Sequence, residues 1–325
     1  ASFRYMPVVD VRAPDLVWAD SVISIRGNER FTLHVLRIAK MMGCYLALMA
    51  DDNLAELPED YIIDPGRIRA FRAILGQVDC VISDTEVLAN RLCELAGISH
   101  YAIFDTVVDE KILRGPPEPD AAPHIVYAAG RGHEQFFVEY VLPALELLSQ
   151  RDDMDSYQKL IRESGFTIGL APLHDDGFCK YKYFNKFIEY ASAGITGIYS
   201  DCLPFSLIVK DGFNGALCVN DPQEWARSLY CLLTDQGLRF QLASRAQGVL
   251  RKDFTREKVV ERFLDDFPEL LSFKKKRTVP PWVLSVSICF HLVAHKFWRV
   301  KERFYLSVLV FRRHGLSSLL KRLHF

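Results

Sequence analysis

Short apolar runs rich in β-branched residues punctuate the chain at positions 22–25, 45–49, 80–83, 100–104, 125–129, 167–172 and 197–200. Each is too short for a helix and too uniformly apolar for a half-exposed strand, so each is predicted to be a buried parallel strand. Between them, apolar residues recur at helical spacing over 31–42, 68–76, 86–95, 134–149, 156–163 and 183–193. That alternation predicts an α/β chain, with parallel sheets and crossover helices, built twice over. The proline-rich stretch Gly115-Pro116-Pro117-Glu118-Pro119-Asp120 can continue neither element and separates the halves. The expected organisation is a first domain over 1–115, a linker over 116–123, a second domain over 124–254, a helix over 255–273 and a tail over 274–325. One stretch breaks the pattern: polar residues 150–155 lie between two helical patterns, where a crossover would place a strand.

The composition adds a segregation of charge. Half of the 325 residues are hydrophobic and a quarter are charged, a globular mixture that excludes disorder and can bury two cores. The net charge of −1 gives the whole molecule no field that would attract nucleic acid, and no RNA-binding motif is present. From Lys274 onward, however, the chain carries +11, against −12 for everything before it. The eight cysteines include no CxxC pair and no metal-ligand spacing, so they are expected to be reduced, mostly buried thiols of a cytosolic protein. Residues 1–20 contain Asp10, Asp15 and Asp20 where a signal peptide needs an apolar core. The longest uncharged stretch of the tail, 278–295, holds two prolines, two histidines and several serines, so no easy bilayer span is expected.

The candidate chemistry lies in the second half. The strand at 167–172 leads into Leu173-His174-Asp175-Asp176-Gly177-Phe178 and then into a helix carrying Lys182, Lys186 and Glu189. In open α/β sheets ligands bind beyond the carboxyl ends of the strands, so this loop and helix start should line a cleft. A helix amino terminus with two lysines suits an anion. Glu189, on about the same helix face as Lys186, could accept hydrogen bonds from vicinal hydroxyls. Phosphate plus diol suggests a nucleotide. The bland alternatives are a solvated Lys186–Glu189 pair and ordinary surface lysines. His174 reads as a loop residue rather than a catalytic base. Asp51 and Asp52 sit at the carboxyl end of the strand 45–49, where Asp52 could equally cap the turn.

These residues resemble a known family. GLAPL, NKFIEYASAG and VKDGFNGALCVNDPQEWARSLYCLL, running from Ile168 to about Leu232, are similar to the C-terminal domain of GT-B fold glycosyltransferases of the family 4, or group 1, kind. ADSVISIR, YLALMADDNLAELP, RIRAFRAILGQVDCVISDTEVLANRL and TVVDEKI resemble the acceptor-side domain of the same enzymes. The resemblance implies two Rossmann-like domains facing a cleft and a helix near 255–270 that crosses back to the first domain. It also implies that Glu189 holds the donor ribose. Tyr181 occupies the place of the family's first glutamate, and Tyr183 that of a serine following Lys182. Asp175 or Asp176 would contact the donor sugar. Gly130, Arg131 and His133, in Gly130-Arg131-Gly132-His133, match the glycine turn and basic residue that approach the donor diphosphate. Asp51 and Asp52 would face the acceptor.

The tail is additional to that family architecture. Lys274-Lys275-Lys276-Arg277 is followed by a Pro-Pro-Trp282 break and by aromatics, Trp298 among them, interleaved with Lys and Arg. In helical register Phe297, Phe304, Val308 and Phe311 share one face and Lys296, Arg299 and Arg303 another, as in a basic amphipathic helix lying on an anionic membrane. Docking on the protein body is the alternative. The combined expectation is a retaining glycosyltransferase on the cytoplasmic face of the membrane. It would transfer a sugar from a nucleotide diphosphate sugar to a lipid-linked or polymeric saccharide. Arg131, Lys182 and Lys186 would stabilise the leaving diphosphate, with no metal or other cofactor. A GT-B scaffold without turnover, acting as an assembly subunit, and a sugar-nucleotide epimerase of related fold are the other readings.

Overall fold

The computed structural model describes residues 2–58, 63–116, 123–127, 134–149 and 166–274. The chain divides into two compact units. The first comprises the residues up to Phe104 together with those from Arg262 on, and the second runs from Asp105 to Glu261.

The first unit holds a four-stranded parallel sheet in the order β1 (Ser21–Ile25), β2 (Tyr45–Met49), β3 (Cys80–Ser83), β4 (Tyr101–Ile103). Its crossovers are the helices Arg30–Met41, Pro65–Leu75 and Glu86–Ala96. β3 is buried at every position, which is why it reads as an unbroken apolar run. The helix expected over 68–76 begins at Pro65, because Asp64 caps it and proline suits the first helical position. Thr85 caps the next helix through the Leu88 N–H, and Gly97 closes it at φ 71°.

The chain passes from the second unit to the first within the helix Arg256–Asp266. The segment that follows is anchored by aromatic packing. Phe267 is fully buried against Ala47, Cys80, Ile82 and Ala102, and its ring meets those of Tyr45 and His100. The Tyr45 hydroxyl lies 2.7 Å from His100 Nδ1, and His100 Nε2 lies 3.1 Å from the Asp266 carbonyl.

The second unit holds a four-stranded parallel sheet in the order β5 (Ile125–Tyr127), β6 (Ile168–Ala171), β7 (Thr196–Ser200), β8 (Ala216–Cys218). β8 is not among the strands expected from periodicity. Three residues after an Asn-Gly turn carry too little pattern, and register with β7 defines it. Helices Asn185–Ser192, Pro222–Thr234 and Gln236–Asp253 pack around this sheet, and Trp225 and Leu229 of the second are fully buried. The pattern over 134–149 resolves into a short helix, a π-helical turn at Phe137–Val141 and the helix Leu142–Ser149. The expected helix over 156–163 and the polar stretch 150–155 lie outside the described residues.

The six buried cysteines among those described (Cys44, Cys80, Cys93, Cys179, Cys202, Cys218) are free thiols, and Cys231 is exposed. No helix among the described residues is long and apolar enough to cross a membrane.

Candidate functional site

Two glycines and two tyrosines set the helix Asn185–Ser192 against its sheet. A Cβ at Gly169 of β6 would meet the Tyr190 ring at 2.5 Å, so only glycine lets the helix approach this closely. The Tyr190 hydroxyl then donates to the Leu170 carbonyl at 2.7 Å. On β7, the fully buried Tyr199 ring lies over Gly197, where a Cβ would come within 2.0 Å of it. At the far end of the helix Gly194 has φ 74°, and a Cβ there would sit 2.5 Å from the Gly115 carbonyl oxygen.

The loop leaving β6 is held by residues that motif reasoning did not single out. Ser200 Oγ accepts from the Leu173 N–H at 2.8 Å and donates to Asn220 Oδ1 at 2.6 Å, while Asn220 Nδ2 donates to the Leu173 carbonyl at 2.8 Å. The polar residue ending the otherwise apolar run 197–200 was the available signal. His174 is clamped by the π-helical turn and the residue ahead of it. Its Nδ1 is 2.8 Å from the Tyr140 hydroxyl, its Nε2 is 3.4 Å from Glu139 Oε2, and the Phe136 ring meets it edge-on at 4.5 Å.

The loop then exposes Asp175, Asp176 and Gly177. Asp176 Oδ1 accepts from the N–H groups of Phe178 at 2.9 Å and Cys179 at 2.6 Å, forming a cap on the 3₁₀ turn Cys179–Tyr181. Burial pushes the Asp176 carboxyl up, but these amides outweigh it and hold the group below the ordinary carboxylate value. Asp176 is therefore ionised and, although exposed, is engaged in building the turn, beside the exposed Asp175. Burial raises the Cys179 and Cys202 thiols to about 12, so neither acts as a nucleophile near neutral pH.

Tyr181 and Tyr183 are both buried. The Tyr183 hydroxyl donates to Asp105 Oδ1 at 3.2 Å and accepts from the Thr106 N–H at 3.3 Å. It thus ties the segment between turn and helix to residues that open the second unit. With Tyr183 and Phe184 turned into the core, the helix begins at Asn185, two residues later than periodicity suggests. No side chain caps its amino end, where the Phe187 N–H donates to the Phe184 carbonyl at 2.9 Å. Lys182 ends the 3₁₀ turn, with its ammonium 5.2 Å from the centre of the Phe178 ring. Phe187, Ile188, Tyr190 and Ala191 face the core, while Lys186 and Glu189 lie on the opposite side and pair with each other.

In the first unit, Asp51 follows β2 and is paired with Arg26, which follows β1 in a positive-φ conformation (51°). Arg26 Nε donates to Asp51 Oδ1 at 2.6 Å. Asp52 lies beside it in the turn, its carbonyl accepting from the Leu54 N–H at 3.0 Å. The loop continues into Asn53, fully buried, whose Nδ2 donates to Glu56. Gly130, Arg131 and His133 lie outside the described residues, as do Lys275, Lys276, Arg277, Trp282 and Trp298; Lys274 is described and pairs with Asp20 at 2.8 Å. Among the described residues no group of three or more His, Cys, Asp and Glu side chains could hold a metal ion.

Compared with known families and curated proteins, the chain matches no family model and no curated sequence. It does match solved structures. Sucrose-phosphate synthase from Thermosynechococcus elongatus superposes with a TM-score of 0.56 at 14% identity, over 78% of this chain and 74% of that one. HepE of Anabaena, in complex with UDP and glucose, gives 0.55 at 14% identity over 80% of each chain. The pneumococcal O-GlcNAc transferase GtfA, in complex with UDP and GlcNAc, gives 0.51 at 16% identity over 80% of this chain and 59% of that one. At such identities the likeness is one of fold. Two α/β domains with parallel sheets are consistent with the GT-B fold, and the likeness does not extend to a particular family within it.

Proposed function

We propose that this chain is a retaining glycosyltransferase of the family 4 kind that takes its sugar from a nucleotide diphosphate donor. The observation that carries the reading is the amino end of the helix Asn185–Ser192. Its N–H groups are uncapped by any side chain, Lys182 and Lys186 stand at its start, and Glu189 is one turn further along. This is an arrangement for a phosphate group with a diol beyond it. HepE and GtfA, whose structures contain UDP, share the fold, so a uridine diphosphate donor is the first to test.

In this mechanism the protein's contribution is electrostatic. The helix terminus, Lys182, Lys186 and Arg131 stabilise the charge that grows on the leaving diphosphate, and fixed dipoles do so without reorganising during the reaction. Asp175 would contact donor sugar hydroxyls, and Asp51 and Asp52 the acceptor. The acceptor we propose is a lipid-linked or polymeric saccharide at the cytoplasmic face of a membrane, where the basic tail engages anionic lipid.

The test is release of nucleoside diphosphate from a panel of nucleotide sugars, with and without added acceptor. Turnover of one donor, at least tenfold above a Glu189→Ala variant, supports the reading. Binding of a donor without any turnover would instead favour a GT-B scaffold lacking activity. That second reading draws on Tyr181, a buried aromatic where the family carries a glutamate, and on Tyr183, whose hydroxyl is engaged by Asp105 and Thr106. Release of an epimerised nucleotide sugar would overturn both.

A further inference from the structure

Two neighbouring helices of the first unit share a basic outer face. Arg30–Met41 and Pro65–Leu75 are successive crossovers of a parallel sheet ordered β1-β2-β3, so right-handed connections put both on the same side of it. They are tied together at both ends. Near their starts, Arg67 donates to Asn28 Oδ1 and to Glu29 Oε1, each at 3.0 Å. Near their ends, Lys40 Nζ donates to the Gln77 carbonyl at 2.5 Å. The helices therefore run side by side in one direction and present a continuous outer surface.

Helical spacing decides what that surface carries. Phe31, Thr32, Val35, Leu36, Ile38 and Ala39 are buried on the inner side of the first helix. Arg30, His34, Arg37 and Met41 recur every three or four residues on the opposite side, where Arg30 and Arg37 are exposed and Met41 is 64% exposed. In the second helix Ala70, Phe71 and Ile74 are buried, whereas Arg69 and Arg72 are exposed. Neither helix contains an Asp or Glu, although the residues before Lys274 sum to −12. The next helix, Glu86–Ala96, exposes Glu86 and Glu94, so the basic face ends there. Arg72 donates to the Ala55 carbonyl at 3.0 Å, but Arg30, Arg37 and Arg69 have no hydrogen-bond or ion-pair partner among the described residues.

We propose that this face, through Arg30, Arg37, Arg69 and Met41, docks the first unit on the anionic surface of a membrane. Three guanidinium groups without a partner in the protein are available to lipid phosphates and carboxylates, to which they bind through paired N–H donors. Two helices packed about 10 Å apart form a broad, shallow face, which suits a plane better than a peptide. Met41 places an apolar side chain at the end of the basic stripe, where it enters the lipid beneath the headgroups. Nucleic acid is the other extended polyanion, but Phe31 and Phe71 of these helices are buried, which leaves no phenyl or indole face on which bases could stack. Docking shares with the proposed function only the membrane, and needs neither donor nor turnover.

Sedimentation of the full chain with vesicles of equimolar phosphatidylserine and phosphatidylcholine tests the proposal. Arg30→Gln/Arg37→Gln/Arg69→Gln should lower partitioning at least tenfold at unchanged Tm, because three charges leave the surface that meets the lipid. Lys210→Gln/Lys252→Gln/Arg256→Gln removes the same charge from exposed positions of the second unit and should leave partitioning close to that of the parent. In an otherwise unsubstituted chain, Met41→Trp should be quenched by brominated phosphatidylcholine beyond the baseline of the four native tryptophans. Equal losses in the two triple variants would reduce the effect to net charge and overturn the proposal. Vesicle binding without quenching at position 41 would overturn it too, by placing the contact elsewhere on the chain. Binding of polyuridylate in preference to the vesicles would assign the face to nucleic acid instead. Partitioning is measured without donor or acceptor, so its failure is distinct from a failure of sugar transfer.

Discussion

Lys186 and Glu189, one turn apart on the helix Asn185–Ser192, form an ion pair between Nζ and Oε2 on the side of the helix facing away from the core. The two groups proposed to serve the phosphate and the ribose are thus each other's partner. An exposed pair of this kind is worth about 0.2–1 kcal/mol. A charge-assisted bond from a ribose hydroxyl is worth about 1.5–3 kcal/mol, so exchanging the one for the other is favourable. Glu189→Ala should therefore weaken nucleoside diphosphate sugar binding at least tenfold in calorimetry and leave thermal stability almost unchanged. An unaltered Kd would remove Glu189 from the site.

If lysines and a helix terminus neutralise the diphosphate, no divalent ion is required for transfer. Activity should persist in excess EDTA with undiminished kcat. Loss of transfer in EDTA, restored by magnesium or manganese, would replace the electrostatic account with a metal-assisted one.

Gly169→Ala tests how the helix is positioned. The added methyl would lie 2.5 Å from a buried ring that is itself held by a hydrogen bond to Leu170, so the helix must shift. Overpacking of this kind costs about 1–3 kcal/mol. Urea unfolding should show that loss, accompanied by weaker donor binding because the amino terminus moves with the helix. A G169A protein as stable as the parent would mean that Tyr190 can yield.

Glu56 accepts from Arg91, and Asn53 Nδ2 donates to it at 2.8 Å. The Arg91 guanidinium, against a smaller opposing effect of burial, lowers the Glu56 carboxyl from 4.5 to about 2. The unfolded chain then binds the proton more readily than the folded one. The contribution is therefore complete above about pH 4.5 and is lost as pH falls towards 2. Glu56→Gln should lower Tm at pH 6, and the gap to the parent should narrow steadily towards pH 2. A gap independent of pH would show that the carboxylate charge plays no part.

The polybasic cluster is tested by replacing Lys275, Lys276 and Arg277 with Gln. Each basic residue near an anionic surface contributes about 1 kcal/mol, so partitioning into phosphatidylserine vesicles should fall on the order of 10²-fold. Lys274 is left in place because it is paired with Asp20. Undiminished binding would move the membrane contact away from this cluster.

What the sequence determined by itself was local and periodic. Apolar runs such as 45–49 and 80–83 coincide with β2 and β3 residue for residue, since a strand buried on both faces leaves a signal independent of its neighbours. The strand–helix alternation, the loop after β6 and the basic helix start were legible for the same reason. Tertiary structure decided what depends on partners distant in the chain. β8 exists through its register with β7, and the loop after β6 takes its place from Ser200 and Asn220, 27 and 47 residues beyond Leu173. The helix begins at Asn185 because Tyr183 reaches back to Asp105. Asp176 and Asp175 are exposed neighbours of one residue type, yet two backbone amides donate to Asp176 and make it the anchor of the following turn. Periodicity reports which side of an element is buried, whereas the partner of each polar group is settled only when the chain has folded back on itself.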